Sequence, residues 1–162
     1  MNEELPAIDS RAGFQAAVRW GFEAAAAQGA RRIVCTDATF ADWPWDDPAL
    51  LQGLTAWFKL PQRRLVLLAR SFDEVPRRHP RFNAWRAAWT HVMEAWSPPQ
   101  DMALDLPALL TCDRAATVHL IDPLRWRGRC TLDERQAHLW CEEIDAVLQR
   151  SERAFAVNVL GL

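Results

Sequence analysis

Lysine is nearly absent from this chain: Lys59 is the only one, and every other basic side chain apart from histidine is an arginine. Any reaction that needs a positioned ammonium must draw on that single residue. No apolar run reaches the roughly 18 residues that span a bilayer. The opening MNEELPAIDS lacks a basic region followed by an apolar one, so a cytoplasmic protein without membrane contact is expected. The four cysteines, Cys35, Cys112, Cys130 and Cys141, contain no C-x-x-C pair, and metal-ligand spacing is therefore missing. Cys35 and Cys112 sit in apolar, strand-like runs, where a thiol behaves as a small hydrophobe. A cysteine–histidine nucleophile would have to join Cys35 or Cys112 to His79, His91, His119 or His138, and no local signature supports a pair. The motifs G-x-G-x-x-G, G-x-x-x-x-G-K-[ST] and G-x-S-x-G are absent, which removes the common nucleotide and α/β-hydrolase fingerprints. Asp37, Asp42, Asp46 and Asp47 have the ligand type for a hard cation but not the D-x-[DN]-x-[DN]-G loop, and a solvated loop with a helix cap is the simpler reading. No cofactor and no metal are expected.

What remains is a chain of ordinary composition. With 162 residues, half of them hydrophobic and a quarter charged, it fits one domain around one core. A net charge of -2 gives no general attraction to nucleic acid or anionic lipid. Ser10 is placed to cap a helix whose apolar positions Phe14, Ala17, Val18, Phe22 and Ala25 recur at steps of three and four, with Gly29 as its stop. RRIVCTD then reads as a strand ending at Asp37. An irregular loop carrying Trp43, Pro44 and Trp45 leads to Asp47 and Pro48, a good helix start for the stripe Leu50, Leu51, Leu54, Trp57 and Phe58. RRLVLLAR is a second buried strand.

Beyond Arg70, Pro76 and Pro80 allow a helix only from about Pro80, with Phe82, Trp85, Ala88, Trp89 and Val92 on one face. Residues 92–97 either finish that helix or form a third strand; the run is too short for its pattern to decide. A connector follows from Pro98 to Pro107, with local order at Met102 to Leu106. Leu109 to Cys112, a turn at Asp113 and Arg114, and Ala116 to Ile121 read as an antiparallel hairpin. From Arg125 to Cys130, Arg125, Arg127 and Arg129 alternate with Trp126, Gly128 and Cys130, which gives an extended segment a cationic face. Thr131 and Glu134 fit a capping box, and Ala137, Trp140, Cys141, Ile144, Val147 and Leu148 form the buried face of a closing helix. The tail AFAVNVLGL is expected as a short strand or a packed coil. Trp57, Trp85, Trp89 and Trp140 lie on helical apolar stripes and read as core or interface.

The element order is helix, strand ending in Asp37, tryptophan-bearing loop, helix, strand, HPRF helix, hairpin CDRAATVHLID and closing helix with RSE near its end. In that order the chain resembles one half of a phospholipase D-like domain, over roughly residues 10–153. More particularly, it is similar to the uncharacterised bacterial branch of that superfamily that has lost the catalytic signature. The resemblance implies an α/β fold, a single domain over residues 1–162 with a layered mixed β-sheet flanked by helices. Active members carry HxKxxxxD, in which histidine is the nucleophile, lysine stabilises phosphoryl oxygens and aspartate orients the histidine network. His119 is the nearest histidine, but Ile121 stands where the lysine is needed. The resemblance therefore implies loss of phosphodiesterase activity.

Two functions of different class follow. The first is a catalytically silent binding or structural module, expected as a symmetric homodimer because active relatives build their site between two halves. The second is a cryptic enzyme acting on a phosphorylated or nucleic-acid substrate through His119, Asp113 and Arg127. Ligand or anion binding is assigned to Arg125, Arg127, Arg129 and Trp126 on the cationic segment, and to Asp37 and Arg70 at the strand ends. Alternating charge of this kind is also the protected edge of a sheet. A protein partner or a phosphorylated ligand fits the first function, a regulatory partnership with another protein is a third reading, and nucleic acid is not expected.

Overall fold

Local sequence signals build most of the elements in this computed structural model, which describes residues 4–102 and 105–157. Helix α1 (Arg11–Ala27) begins where the Ser10 hydroxyl accepts the Gly13 N–H at 2.9 Å. It ends at Gly29, whose φ of 74° is left-handed, and the Ala30 N–H returns to the Ala25 carbonyl. A glycine adopts that backbone without a Cβ clash and leaves the last carbonyls satisfied. Strand β1 (Arg32–Asp37) follows, then α2 (Pro48–Phe58), capped by Asp47 through the Ala49 N–H. Strand β2 (Arg64–Ala69) lies parallel to β1.

The segment after β2 differs from its expected form. Pro76 is tolerated in the first turn of a short helix, α3 (Val75–Arg78), because that turn needs no proline N–H. The HPRF helix α4 covers only Pro80–Trp85, and a 3₁₀ turn, Arg86–Trp89, ends it. Val92 has left the helix: its carbonyl accepts the Leu65 N–H at 2.9 Å, and β3 (Met93–Ser97) pairs parallel with β2. The open choice for residues 92–97 is thus decided as strand, since the ladder with β2 satisfies backbone groups that a continued helix would carry away from the sheet. Ala88, placed on the apolar face, is exposed. The expected order at Met102 to Leu106 falls partly outside the described residues, at Ala103 and Leu104; Met102 itself closes a turn on Pro99.

The hairpin forms as expected from β4 (Ala108–Cys112) and β5 (Ala116–Asp122), with Leu109 opposite His119. The next strand, β6, covers Arg127–Leu132, so Arg125 and Trp126 belong to the turn rather than to the extended segment. Asp133, not Thr131, caps α5 (Glu134–Leu148), accepting the N–H groups of Arg135 and Gln136 at 3.0 and 3.1 Å. The capping box fails because Thr131 is held in the ladder opposite Thr117, two residues short of the helix. Of the predicted α5 face, Ala137 and Ile144 are buried, while Trp140, Cys141, Val147 and Leu148 are half-buried. The tail begins with a two-residue strand, β7 (Glu152–Arg153), and continues as coil to Val157; residues 158–162 lie outside the described range.

The strands make one seven-stranded mixed sheet in the order β6-β5-β4-β1-β2-β3-β7. Strand alternation sends Ile33, Cys35, Leu65 and Leu67 into a large core with α1, α2 and α4. Val34, Val66, Leu68 and Leu109 face α5 in a smaller one. The loop after β1 is irregular, as expected, yet it fills the larger core: Trp43 and Trp45 are 2% and 0% exposed and stack with centroids 5.6 Å apart.

Candidate functional site

The residues singled out from sequence fall into separate places. Asp37 ends β1 on the α1/α2 side, and its Oδ2 accepts the N–H groups of Phe40 at 2.7 Å and Thr39 at 3.2 Å. Phe40 has a left-handed φ of 59°, which a bulky residue adopts only when its surroundings hold it there. Those surroundings are the Asp37 carboxyl on its N–H and buried His79 on its carbonyl, Nε2 to O at 2.8 Å. A carbonyl only accepts, so His79 Nε2 carries the proton and donates. Burial pushes the Asp37 carboxyl above the usual carboxylate value, and the N–H groups of Phe40, Thr39 and Ala38 pull it partly back. The Trp43 indole nitrogen lies close enough to add to that pull, though without hydrogen-bond geometry. Asp37 is thus committed to shaping its loop.

His119 is half-buried on the opposite, α5 side, with its ring edge-on to Trp140 at 5.0 Å. Burial holds its basicity below the ordinary imidazole value, and Arg129 stands directly across the ladder. Asp113 is at the far end of the hairpin. Leu109, the cross-strand neighbour of His119, precedes Asp113 by four residues, roughly 14 Å at 3.4 Å per residue. The Asp113 carboxylate accepts the N–H groups of Arg31 and Arg32 at 3.0 and 3.3 Å. His119 and Asp113 therefore share no site, and Asp37 and His119 lie on opposite sheet faces.

The cationic segment is divided as well. Arg127 and Arg129 are exposed on edge strand β6. Arg125 turns back to Asp122, with its guanidinium 3.8 Å from the carboxylate. Trp126, at φ 54°, packs its ring toward Phe14 with centroids 5.9 Å apart, away from the arginine face. Arg70, at the end of β2, donates to the carbonyls of Pro99 and Met102 and so ties down the connector.

Other ionisable groups are spent on structure. Burial raises all four cysteine thiols, Cys130 and Cys141 to about 11, so none supplies a thiolate near neutrality. Asp42 pairs with Arg11, Asp47 pairs with Arg19, and Asp46 accepts the N–H groups of Arg81 and Phe82 at the start of α4.

A further concavity is one that sequence reasoning did not identify. It is a groove of about 1310 Å³ outside the carboxyl ends of β2 and β3, lined by Arg70, Arg86, Asn83, Arg153 and Phe155 among others. Ligands in open α/β sheets bind at that end of parallel strands. Arg70 was singled out, but Arg86 was not. Its setting depends on Phe155, 69 residues later in the chain, whose ring lies 3.5 Å beneath the Arg86 guanidinium. No local signal joins two such positions.

No protein-family model and no curated protein sequence matches this chain. Solved structures do. TrmBL2, an archaeal chromatin protein described as showing a novel mode of DNA binding, superposes with a TM-score of 0.62 at 12% identity, over 95% of this chain and 56% of that one. This chain thus spans little more than half the length of that neighbour. Nuc from Salmonella typhimurium, a phospholipase D family member, superposes with a TM-score of 0.53 at 9% identity, over 86% of this chain and 91% of that one. At such identities the likeness concerns the fold alone, and the fold is that of a layered α/β domain similar to a phospholipase D family structure.

Proposed function

We propose that this phospholipase D-like chain is a catalytically silent binding or structural module, of the bacterial branch that has lost HxKxxxxD, and that it works in the cytoplasm as a homodimer. The observation that carries the reading is the dispersal of its reactive groups. His119 has an arginine across the ladder, tryptophan at its edge and no carboxylate partner among the described residues. Asp113 is roughly 14 Å away along the hairpin and already satisfied by backbone N–H groups. A histidine nucleophile needs a partner that tunes it and a cation aimed at the phosphoryl oxygens, and those groups must converge within hydrogen-bond reach. The chromatin function of TrmBL2 suggests a DNA-binding alternative. The net charge of -2 argues against a general electrostatic attraction to DNA.

The test is hydrolysis of bis-nitrophenyl phosphate and of short labelled oligonucleotides. The expected result is no turnover above the buffer rate, identical in the wild type and in His119→Ala. Turnover that disappears in His119→Ala would overturn the silent reading and restore the cryptic phosphodiesterase.

A further inference from the structure

The groove at the carboxyl ends of β2 and β3 contains a guanidinium whose charge its neighbours among the described residues do not balance. Arg86 is half-buried, and its two hydrogen-bond partners among the described residues are neutral: Asn83 Oδ1 at 3.4 Å and the Ala156 carbonyl at 3.3 Å. Charge-assisted bonds of this type run at about 2.7–2.9 Å, so both contacts are long and leave donor capacity in hand. Burial draws the Arg86 pKa down to about 10, with no carboxylate acting in the other direction.

We propose that this groove binds a small molecule bearing an oxyanion on an apolar stem, a carboxylate or a phosphate monoester, with Arg86 as the principal ligand. The Arg86 guanidinium carbon sits over the Phe155 ring, 3.5 Å from its centroid, and a guanidinium held over an aromatic face keeps edge N–H groups that can receive two oxygens at once. Arg70 and Arg153 share the groove, so three guanidinia face the two carboxylates of Asp73 and Glu152 in its lining. Arg70 is anchored on connector carbonyls and contributes field and rigidity. Arg153 is held over the Trp96 ring and is 3.7 Å from Glu94, a partial neutralisation only. Phe72 and Phe155, stacked with centroids 5.0 Å apart, both line the groove, and their ring edges are the apolar surface a stem meets. The volume of about 1310 Å³ exceeds what a bare anion fills, and drug-sized ligands occupy roughly 300–1,000 Å³. Asn83, whose Oδ1 is turned to Arg86, retains its amide N–H groups to orient the ligand.

This inference rests on the binding-module reading but not on its silent or dimeric parts, and the hydrolysis assay is unaffected by its failure. The test is isothermal titration calorimetry of the full chain at low salt with phenyl phosphate, phenylacetate and inorganic phosphate. At least one of the two aromatic anions is expected to bind with a Kd of about 1 mM or tighter, inorganic phosphate more weakly, and the stronger of the two aromatic anions identifies the headgroup. Arg86→Gln is expected to weaken that binding by about tenfold or more. Because Arg86 also steadies the tail, a second variant separates ligand loss from unfolding: Asn83→Asp places a carboxylate beside the guanidinium and is expected to abolish anion binding without lowering the melting temperature. No binding by any of the three anions, or binding undiminished in Asn83→Asp, overturns the proposal.

Discussion

Asp37 shows how a residue with the chemistry of an active site is placed for a structural task. Its carboxyl holds the N–H of Phe40 in a left-handed turn, and burial raises its pKa. A carboxyl whose folded pKa is raised contributes stability that is fully present below its unfolded value, near pH 3.8, and is lost as pH rises through the folded value. Asparagine keeps an oxygen acceptor for the two N–H groups without a charge to desolvate. Asp37→Asn is therefore expected to be at least as stable as the wild type at pH 7, with the advantage shrinking as pH falls toward 4. Asp37→Ala, which leaves the partly buried Phe40 and Thr39 N–H groups without that acceptor, should cost roughly 1–3 kcal/mol. Thermal melts at a series of pH values measure both. A catalytic Asp37 would show instead an asparagine variant of unchanged stability profile and altered activity.

Among the elements, α5 is the one most plainly written in sequence and the one whose start was misplaced. Thr131 and Glu134 have the spacing of a capping box, but the β5–β6 ladder runs through Leu132 opposite Ala116 and holds Thr131 in extended backbone. Asp133 takes over the cap with two N–H groups. Asp133→Ala is expected to cost about 1 kcal/mol in urea denaturation. The Thr131 hydroxyl is buried without a hydrogen-bond partner, so Thr131→Val, which removes an unsatisfied polar atom at constant shape, should be neutral or slightly stabilising. The reverse order would restore the capping box. Gly128 belongs to the same neighbourhood: a Cβ there would stand 2.4 Å from the His119 carbonyl oxygen, so β6 approaches β5 as it does only because this position is glycine.

At the scale of the whole molecule, the two sheet faces are unequally covered. Helices α1, α2, α3 and α4 contribute to the core on one face and α5 alone to that on the other, and Ile121 in β5, Leu139 in α5 and Leu124 at the β5–β6 turn remain 59%, 51% and 94% exposed. These apolar side chains support the proposed homodimer, since a two-fold interface would bury each of them twice. Sedimentation velocity at tens of micromolar, an order-of-magnitude choice suited to dimers of ordinary affinity, is expected to show a species of twice the chain mass that Leu139→Glu converts to monomer. A strict monomer at that concentration would remove the dimer from the proposal.

Periodicity and caps within the chain determined α1, β1, α2, β2 and the β4–β5 hairpin, because each rests on side chains within a few residues of one another: Ser10 with Gly13, Asp47 with Ala49, alternating apolar runs in the strands. The missing lysine near His119 was legible for the same reason. Only the tertiary structure decided whether residues 92–97 were helix or strand, because β2 supplies the partner that makes them a strand. Only it placed Trp43 and Trp45 in the core, through contacts with Phe14, Phe22 and Phe82 from other elements. The groove at Arg86 belongs to the same class. Its aromatic floor comes from Phe155 and its rim from Arg70 and Arg153, and such an arrangement exists only once the sheet has brought the ends of β2, β3 and β7 together.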